Sequence, residues 1–303
     1  MSPKISVVVT TFRRARLLGR TLESIAAQTR QPDELIVSDD CSPDDTAHVV
    51  ETWRKTFPGL VYIRNEKNLN MPGNLNKAVA AASGMYIANL HDGDTYAPTL
   101  LEKWESALDR HPSAGLVFCG LAGWPARTKQ GGGILLFPIA PFTKGREFFE
   151  RHLLPEIGCP VWGTVMARKS AYDALLPFDP EFGFLSDVDM WARMCLAYDI
   201  VYVDEPMIVL DHTPSAERRL GTYNWNWLEI TRRIRIANIH RFYAGDERRR
   251  NTELRRYRRL FNRFLVARLL GRIRHGDRDG LRKGLALARR RGGPLAWLGE
   301  MTG

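Results

Sequence analysis

The sequence has few cysteines and no long apolar run. Cys41, Cys119, Cys159 and Cys195 are its four cysteines in 303 residues, and no two of them are closely spaced. This pattern predicts neither a disulfide framework nor a zinc site. No apolar run reaches the roughly 20 residues that span a bilayer. Since no leading signal peptide is recognised, we expect reduced thiols and a cytoplasmic protein, with peripheral attachment to the inner face of the membrane as an open alternative.

A glycine-rich phosphate loop is also missing after the first apolar run. That run, Ile5 to Thr10, leads into Thr11-Phe12-Arg13-Arg14. A nucleotidyltransferase would place a Gly-rich loop with Lys or Arg at this point. The sequence therefore disfavours that class, which we keep only as an alternative.

What is present in the first half is an alternation of short apolar runs with amphipathic stretches. Strands are predicted at residues 5–10, 35–38, 60–63 and 86–90, and helices at 17–28, 46–53 and 72–82. Alternating strands and helices predict a parallel sheet with helices on both faces. Ligands of such sheets bind at the carboxyl ends of the strands.

Polar clusters follow three of the predicted strands. Thr10 to Arg14 follows the first, Asp39-Asp40 the second, and Asp92-Gly93-Asp94 the fourth. Gly93 allows the chain to turn so that both flanking carboxylates face one point, where a hard cation with oxygen ligands could bind. An ordinary Asp-Gly turn is the alternative for this segment taken alone.

These motifs resemble the nucleotide-sugar domain of family 2 glycosyltransferases. The segments that carry the resemblance are ISVVVTTFRRARLLGRTLESIAAQT, PDELIVSDDCSPDDT, Asn76 ahead of GMYI, HDGD, and FLSDVDMWARM, which together cover residues 4–212. Two departures are that His91 stands where an apolar or acidic residue is more usual, and that Ser186 replaces a common Glu. The order and spacing of the motifs make the resemblance specific.

The resemblance implies the fold and the division of the chain. We expect an α/β GT-A fold with a mostly parallel central sheet flanked by helices. Residues 1–220 would form the catalytic domain, with a nucleotide-binding half at 1–98 and an acceptor-binding half at 99–220. Residues 221–303 would form a basic helical extension.

The resemblance also implies which residues bind the donor. Thr10 and Phe12 would line the nucleobase pocket, and Asp40 would accept a base N–H. The remaining nucleotide-binding residues would be Arg14, Asn76 and Asp92. A packed Phe at a strand end and a solvated Arg on a helix face are the alternatives for Phe12 and Arg14.

Three more positions would supply the metal and the base. Asp94 would bind a divalent cation, Mn²⁺ or Mg²⁺, which stabilises the diphosphate leaving group. His212 would complete the metal site, with a surface histidine as the alternative. Asp187, at the predicted start of a helix, would be the general base, with a simple helix N-cap as the alternative.

The acceptor would lie against Trp162 and Gly163, although most buried Trp residues serve only as core. Together these roles imply an inverting, metal-assisted transfer from a nucleotide diphosphate sugar, with UDP favoured, to a glycan or lipid-linked glycan hydroxyl in bacterial cell-envelope or polysaccharide synthesis. Besides a nucleotidyltransferase, the alternative is a catalytically silent protein of the same fold that binds carbohydrate or nucleic acid.

Positive charge is concentrated in the C-terminal quarter of the chain. Residues 229–303 carry 21 Lys and Arg against 7 Asp and Glu, whereas the whole chain has a formal net charge of +10. The spacing predicts a basic amphipathic helix whose apolar stripe is formed by Leu260, Phe264, Ala267 and either Leu269 or Leu270. This helix could lie on an anionic membrane surface or pack against protein; nucleic acid is the disfavoured partner.

Overall fold

The computed structural model describes residues 4–124, 133–211 and 223–289. The predicted metal ligand His212 lies outside these ranges. Among the described residues, those up to 150 and those from 159 to 211 form one compact unit, whereas 151–158 and 223–289 form a second. The grouping of 151–158 with the C-terminal helices is not evident from the sequence.

The first unit is built on one mixed sheet. Its strands are β1 Ile5–Thr11, β2 Glu34–Asp39, β3 Val61–Arg64, β4 Tyr86–His91, β5 Thr95–Tyr96, β6 Ala114–Trp124, β7 Gly133–Leu135, β8 Phe142–Thr143, β9 Val165–Arg168 and β10 Asp199–Val209. Their order is β3-β2-β1-β4-β9-β6-β10-β5, with β7 beside β6 and β8 beside β10. Strands β3, β2, β1 and β4 run parallel, as do β6 and β10, while β9 is antiparallel to both β4 and β6.

Helices cover this sheet. They are α1 Ala15–Ala26, α2 Thr46–Trp53, α3 Asn70–Ala81, α4 Leu100–Arg110, α5 Gly145–Phe148, α6 Lys169–Asp173 and α7 Ser186–Ala197. A π-helical turn covers Phe149–Leu153, and a 3₁₀ helix covers Pro180–Leu185. Ile5, Val7, Val8 and Val9 in β1 are fully buried, as expected for a strand packed on both faces. The predicted α/β fold with a mostly parallel sheet is confirmed.

The strand register brings the predicted polar ends into one row. Thr10 of β1 lies opposite Ser38 of β2 on one side and His91 of β4 on the other. Thr11 lies opposite Asp39. Because these strands are parallel, their carboxyl ends share one edge of the sheet, and the residues that follow them start from neighbouring points.

The segment around β6 and β7 is rich in glycine. The glycines between residues 120 and 138 suggest a loop, yet β6 extends to Trp124 and β7 begins at Gly133. Little room is left for a side chain at Gly120, because a Cβ there would meet a Leu136 methyl carbon and would lie 3.0 Å from the Glu205 carbonyl oxygen. These close contacts show that Gly120 is a packing position rather than a loop signal.

The second unit is helical. It contains α8 Tyr223–Phe242, α9 Glu247–Arg274 and α10 Arg278–Arg289, and these three helices contact one another. The buried stripe of α9 is formed by Leu254, Tyr257, Phe261, Leu265 and Leu269. None of the described helices is long and apolar enough to cross a membrane.

The predicted stripe of α9 was therefore largely wrong. Leu270, one of its alternatives, is 59 % exposed. The apolar residues of this helix are dense enough to form two adjacent stripes at helical spacing. The set beginning at Leu254 is the one that packs on α8 and α10, and only Leu269 is shared with the prediction.

Candidate active site at the carboxyl edge of the sheet

The Asp92-Gly93-Asp94 turn is held by a buried threonine of α1. Thr21 Oγ1 donates a hydrogen bond to the Asp94 carbonyl oxygen (2.8 Å) and accepts one from the Gly93 N–H (2.8 Å). Gly93 has φ +101°, a conformation that glycine adopts without strain. Both aspartates are 7 % exposed. The turn is thus a fixed feature that presents two carboxylates at the end of β4.

An arginine joins the first of these carboxylates to a further one. Arg14 donates through Nη1 to Asp92 Oδ1 (2.9 Å) and through Nη2 to Asp211 Oδ2 (2.7 Å). Thr11 Oγ1 donates to the other Asp92 oxygen at 2.8 Å. Both carboxylate oxygens of Asp92 are therefore engaged by the protein itself.

Asp94 has a different set of neighbours. Its Oδ1 accepts the backbone N–H of Asp211 at 2.8 Å, and its Oδ2 lies 3.8 Å from His91 Nδ1. Burial raises the pKa of Asp94, and it raises the pKa of Asp92 to about 7 although Arg14 and Thr11 oppose that change. A ligand that brings positive charge would favour the ionised form of both.

The donor atoms at this turn fit a divalent cation that arrives with a phosphorylated ligand. Among the described residues no three His, Cys, Asp or Glu side chains converge on one point as a complete metal centre. Mg²⁺ and similar ions are commonly held by one or two carboxylates plus substrate phosphates, so a complete protein cage is not required. Asp94 Oδ2, which accepts no hydrogen bond from the described residues, is the available oxygen.

The residues predicted to bind the nucleobase lie at the ends of β1 and β2. Phe12 is 39 % exposed, and the Arg13 guanidinium carbon lies 5.9 Å from its ring centroid. Asp40 is buried, and its backbone N–H donates to the Thr11 carbonyl oxygen at 2.9 Å. Phe12 and Asp40 thus flank the end of β1, with Thr10 one row back in the same strand.

Asp39 and Asp40 have separate structural partners. Asp39 accepts hydrogen bonds from the Ser42 N–H and the Tyr62 hydroxyl, which fixes the turn after β2. Asp40 Oδ1 accepts from Asn65 Nδ2 (2.9 Å) and from the Leu69 N–H (2.7 Å). No described residue donates to Asp40 Oδ2, which leaves that oxygen available to a ligand.

Asn76 is committed to the fold in this structure. Its Nδ2 donates to the Phe178 carbonyl oxygen and its Oδ1 accepts the Phe178 N–H, each at 2.9 Å. This pair of bonds ties α3 to the segment before the 3₁₀ helix. The nucleotide contact of Asn76 stays a prediction, and it would require these two bonds to Phe178 to open.

Asp187 stands in the first turn of α7, as predicted. Its Oδ1 accepts the neighbouring Val188 N–H at 2.7 Å, and burial raises its pKa to about 7 with no described cation to oppose the change. Asp189, two residues later, forms a buried ion pair with Arg193 at 2.8 Å, which makes it a structural residue. Two aspartates of one helix turn thus have opposite environments.

Gly163 separates Asp187 from His91. A Cβ at Gly163 would lie 2.5 Å from His91 Nε2 and 3.1 Å from Asp187 Oδ2, so both side chains border the space in front of this glycine. The Gly163 carbonyl oxygen accepts a hydrogen bond from Asn89 Nδ2 at 2.6 Å, which fixes the backbone here. Trp162 is partly buried against the core beside it. Both residues precede β9 rather than lying within it.

His91, Thr21 and Asp211 were not assigned a role by the sequence. Tyr96 holds the backbone of His91, because its hydroxyl accepts the His91 N–H (2.8 Å) and donates to the His91 carbonyl oxygen (3.0 Å). Asp211 follows β10 just as the predicted clusters follow β1, β2 and β4, so its position after a strand was an available signal. Thr21 carries no such signal, since it lies within the helical pattern of α1.

The mixed sheet of this order, with carboxylates at the ends of β4 and β10, agrees with the GT-A fold expected from the sequence. The model of the family described as glycosyl transferase family 2 matches residues 6–176, more than half of the chain. The chain therefore belongs to this family.

Two curated relatives show the extent of the similarity. The putative glycosyltransferase EpsE of Bacillus subtilis is 29 % identical over 198 residues, which cover 63 % of this chain and 66 % of EpsE. The GalNAc(5)-diNAcBac-PP-undecaprenol beta-1,3-glucosyltransferase of Campylobacter jejuni is 41 % identical over 93 residues, or 30 % of each chain. The chain thus matches just under two thirds of the first relative and a smaller part of the second.

Two solved structures share the fold. Residues 1–349 of TarS from S. aureus, in complex with UDP-GlcNAc, align with a TM-score of 0.69 and 19 % identity over 94 % of this chain and 79 % of that one. The mannosyltransferase PcManGT of Pyrobaculum calidifontis, in complex with GDP-Man and Mn²⁺, aligns with a TM-score of 0.57 and 18 % identity over 99 % and 79 %. At these identities the likeness establishes the fold alone.

Proposed function

We propose that this protein transfers a sugar from a nucleotide diphosphate sugar, with UDP as the favoured nucleotide, to an acceptor hydroxyl with inversion at the anomeric carbon. The observation that carries the proposal is the position of the His91 imidazole. Its Nδ1 lies 3.8 Å from Asp94 Oδ2, while its Nε2 and Asp187 Oδ2 both border Gly163. One side chain therefore spans the distance from the predicted donor carboxylate to the predicted base.

The donor would bind along the ends of β1, β2 and β4. The exposed Phe12 ring provides a flat surface for a base, Asp40 Oδ2 provides an acceptor for a base N–H, and Thr10 lies in the adjoining row. Asp92, fixed by Thr11 and Arg14, would accept a ribose hydroxyl. These groups recognise the nucleotide and take no part in the bond changes.

The diphosphate would lie next to Asp94. A divalent cation, Mn²⁺ or Mg²⁺, held by Asp94 and by His212 would supply charge stabilisation to the departing nucleotide diphosphate. PcManGT, which shares the fold, was solved with GDP-Man and Mn²⁺. The contribution of this chain is a rigid turn, held by Thr21, that keeps Asp94 in place.

Asp187 would remove the proton from the acceptor hydroxyl. The acceptor oxygen then forms a bond to the anomeric carbon as the bond from that carbon to the diphosphate oxygen breaks, and the proton stays on the Asp187 carboxyl group. Attack from the face opposite the leaving group inverts the anomeric centre. A pKa near 7 suits a base that must accept a proton at neutral pH.

The acceptor would approach over Trp162 and Gly163. The absence of a side chain at Gly163 leaves room for an incoming hydroxyl beside Asp187. The name of the Campylobacter jejuni relative specifies an undecaprenol-linked glycan, and this supports a glycan or lipid-linked glycan acceptor in bacterial envelope or polysaccharide synthesis.

The second unit would contact an anionic membrane surface, where such acceptors reside. The exposed arginines of α9 include Arg248, Arg249, Arg255, Arg256, Arg258, Arg259 and Arg263. Each basic residue near an anionic surface contributes roughly 1 kcal/mol. Sedimentation with anionic vesicles that falls with added salt, and none with neutral vesicles, is the expected result; equal sedimentation with both would contradict it.

The experiment that tests the proposed function is a panel of nucleotide sugars incubated with the protein and Mn²⁺. Release of the nucleoside diphosphate, with hydrolysis or transfer of the sugar, is the expected result. Release of pyrophosphate would identify a nucleotidyltransferase instead. No turnover and no thermal shift with any donor would point to a silent protein of the same fold.

A further inference from the structure

The charges around the Asp92-Gly93-Asp94 turn are unevenly balanced. Asp92, Asp94 and Asp211 supply three carboxylates, and the Asp94 side chain accepts the backbone N–H of Asp211, so all three belong to one cluster. Arg14 is the guanidinium that the structure places among them. It contacts Asp92 and Asp211 at 2.9 and 2.7 Å, and both side chains are more than nine-tenths buried.

We propose that Arg14 is a positioning residue that acts as the internal counter-ion of this cluster and keeps its affinity for a free divalent cation low until a diphosphate is bound. In this role Arg14 occupies Asp92 and Asp211, which a cation would otherwise recruit, and leaves Asp94 as the available ligand. The inference rests on the proposed donor site but not on sugar transfer itself.

The local geometry is adapted to this arginine. The planar fork of a guanidinium reaches two carboxylates at once, which an ammonium group cannot do. At Gly93 a Cβ would lie 3.0 Å from Arg14 Nη2 and 3.3 Å from Asp211 Oδ2, so the turn leaves space for the fork. A glycine at this position therefore serves both the backbone turn and the approach of Arg14.

The consequence for cation binding follows from the ligands that remain. With Asp92 and Asp211 engaged, the described residues offer a free cation one carboxylate oxygen, whereas six or more oxygen ligands are usual for hard divalent ions. A bound diphosphate adds oxygens and negative charge beside Asp94. The cation and the nucleotide should therefore bind cooperatively, each strengthening the affinity for the other.

The test is a titration of the nucleotide-free full chain with Mn²⁺. Binding is measured by calorimetry or by the decrease of the electron paramagnetic resonance signal of free Mn²⁺. Arg14→Gln removes the charge but keeps hydrogen-bond donors. We expect it to bind Mn²⁺ at least ten-fold more tightly than the wild type. The matched control is Arg16→Ala, which removes an exposed charge from the first turn of α1, two residues after Arg14, and should leave the Mn²⁺ affinity unchanged.

The outcomes separate this inference from the proposed function. If the double variant Arg14→Gln/Asp94→Asn loses the gain in Mn²⁺ affinity, the inference is supported. An Mn²⁺ affinity of Arg14→Gln within two-fold of the wild type would overturn it. An equal gain in Mn²⁺ affinity in Arg16→Ala would overturn it as well. Should Arg14→Gln not fold, Arg14→Lys decides the matter, because an ammonium group cannot hold two carboxylates at once: it should bind free Mn²⁺ more tightly than the wild type, and an affinity within two-fold of the wild type overturns the inference. Since no donor sugar or acceptor is used, failed transfer would not affect these results.

Discussion

The two ends of the candidate site use the same residue type in opposite ways. At the donor end, Asp92 has both oxygens engaged by Thr11 and Arg14, and Asp94 accepts a backbone N–H. At the other end, Oδ1 of Asp187 accepts the Val188 N–H at the start of its own helix, and Oδ2 borders the space at Gly163. Carboxylates that are held by several donors can bind and position a ligand, whereas one that presents an oxygen to an adjoining space can accept a proton from a group that enters it.

Replacing Asp187 tests this contrast with the largest expected effect. Asp187→Asn should lower the transfer rate by roughly 10² to 10⁴-fold, the usual contribution of a general base, because an amide cannot accept the proton. UDP affinity should stay within about two-fold of the wild type, because Asp187 is not part of the donor end. Transfer assays and calorimetry measure the two quantities. Asp173→Asn, an exposed residue paired with Lys169, is the control; a near-wild-type rate in Asp187→Asn would identify another base.

Replacing Asp94 tests the donor end. Asp94→Ala should remove the increase in UDP affinity that Mn²⁺ produces, because the available carboxylate ligand is lost. Asp94→Asn, which can still accept the Asp211 N–H, should do the same without disturbing the fold. Calorimetry with and without Mn²⁺ gives the comparison, and Asp45→Ala, at an exposed aspartate before α2, is the control. An unchanged metal dependence in both variants contradicts the assignment.

Gly163→Ala should displace the His91 side chain, which lies between Asp94 at the donor end and Asp187 at the other end. The added methyl group would meet the tip of His91 at 2.5 Å and Asp187 Oδ2 at 3.1 Å, so the imidazole must shift. A displacement of about 1 Å can cost roughly 10²-fold in rate, so transfer should fall by up to that factor while UDP affinity is retained. Gly59→Ala is the control, because a Cβ there meets nothing within 4 Å. Wild-type transfer by Gly163→Ala would show that this space is not used.

The pH dependence of transfer at saturating donor should report on Asp187, with an effect of about ten-fold. Burial raises the pKa of Asp187 to about 7, and the base is active when deprotonated, so transfer rises with pH through about 7 and levels off above it. At saturating donor, kcat/KM for the acceptor at pH 6 should be about ten-fold below its plateau value at high pH. The affinity for UDP reports instead on Asp92, whose pKa is also raised to about 7. A transfer rate that is constant from pH 6 to 8 would rule out the ionisation of Asp187 as the controlling step.

The positions of the predicted donor residues in the fold follow from the sequence, because these residues follow strands. Thr10, Asp40 and Asp92 lie at or just after the carboxyl ends of neighbouring parallel strands, and the register places those ends at one edge. Strand periodicity and the parallel connection are local signals, so the convergence of these residues follows from the sequence.

Other features depend on contacts that periodicity does not encode. The pairing of Arg14 with Asp211 joins residues 197 positions apart, and the reciprocal bonds of Asn76 with Phe178 join residues 102 apart. The prediction of the buried stripe of α9 was wrong for a similar reason. Two apolar stripes are possible on this helix, and packing against α8 and α10 selects one of them. Partner choice of this kind is decided by tertiary packing.

The most direct test of the account is a crystal structure of the protein with UDP and Mn²⁺. The uracil should lie against Phe12, the ion should lie within about 2.0 to 2.6 Å of an Asp94 oxygen, and Asp187 should lie across the gap without a bond to the ion. An ion bound by Asp187, or a nucleotide bound away from the ends of β1 and β4, would contradict it.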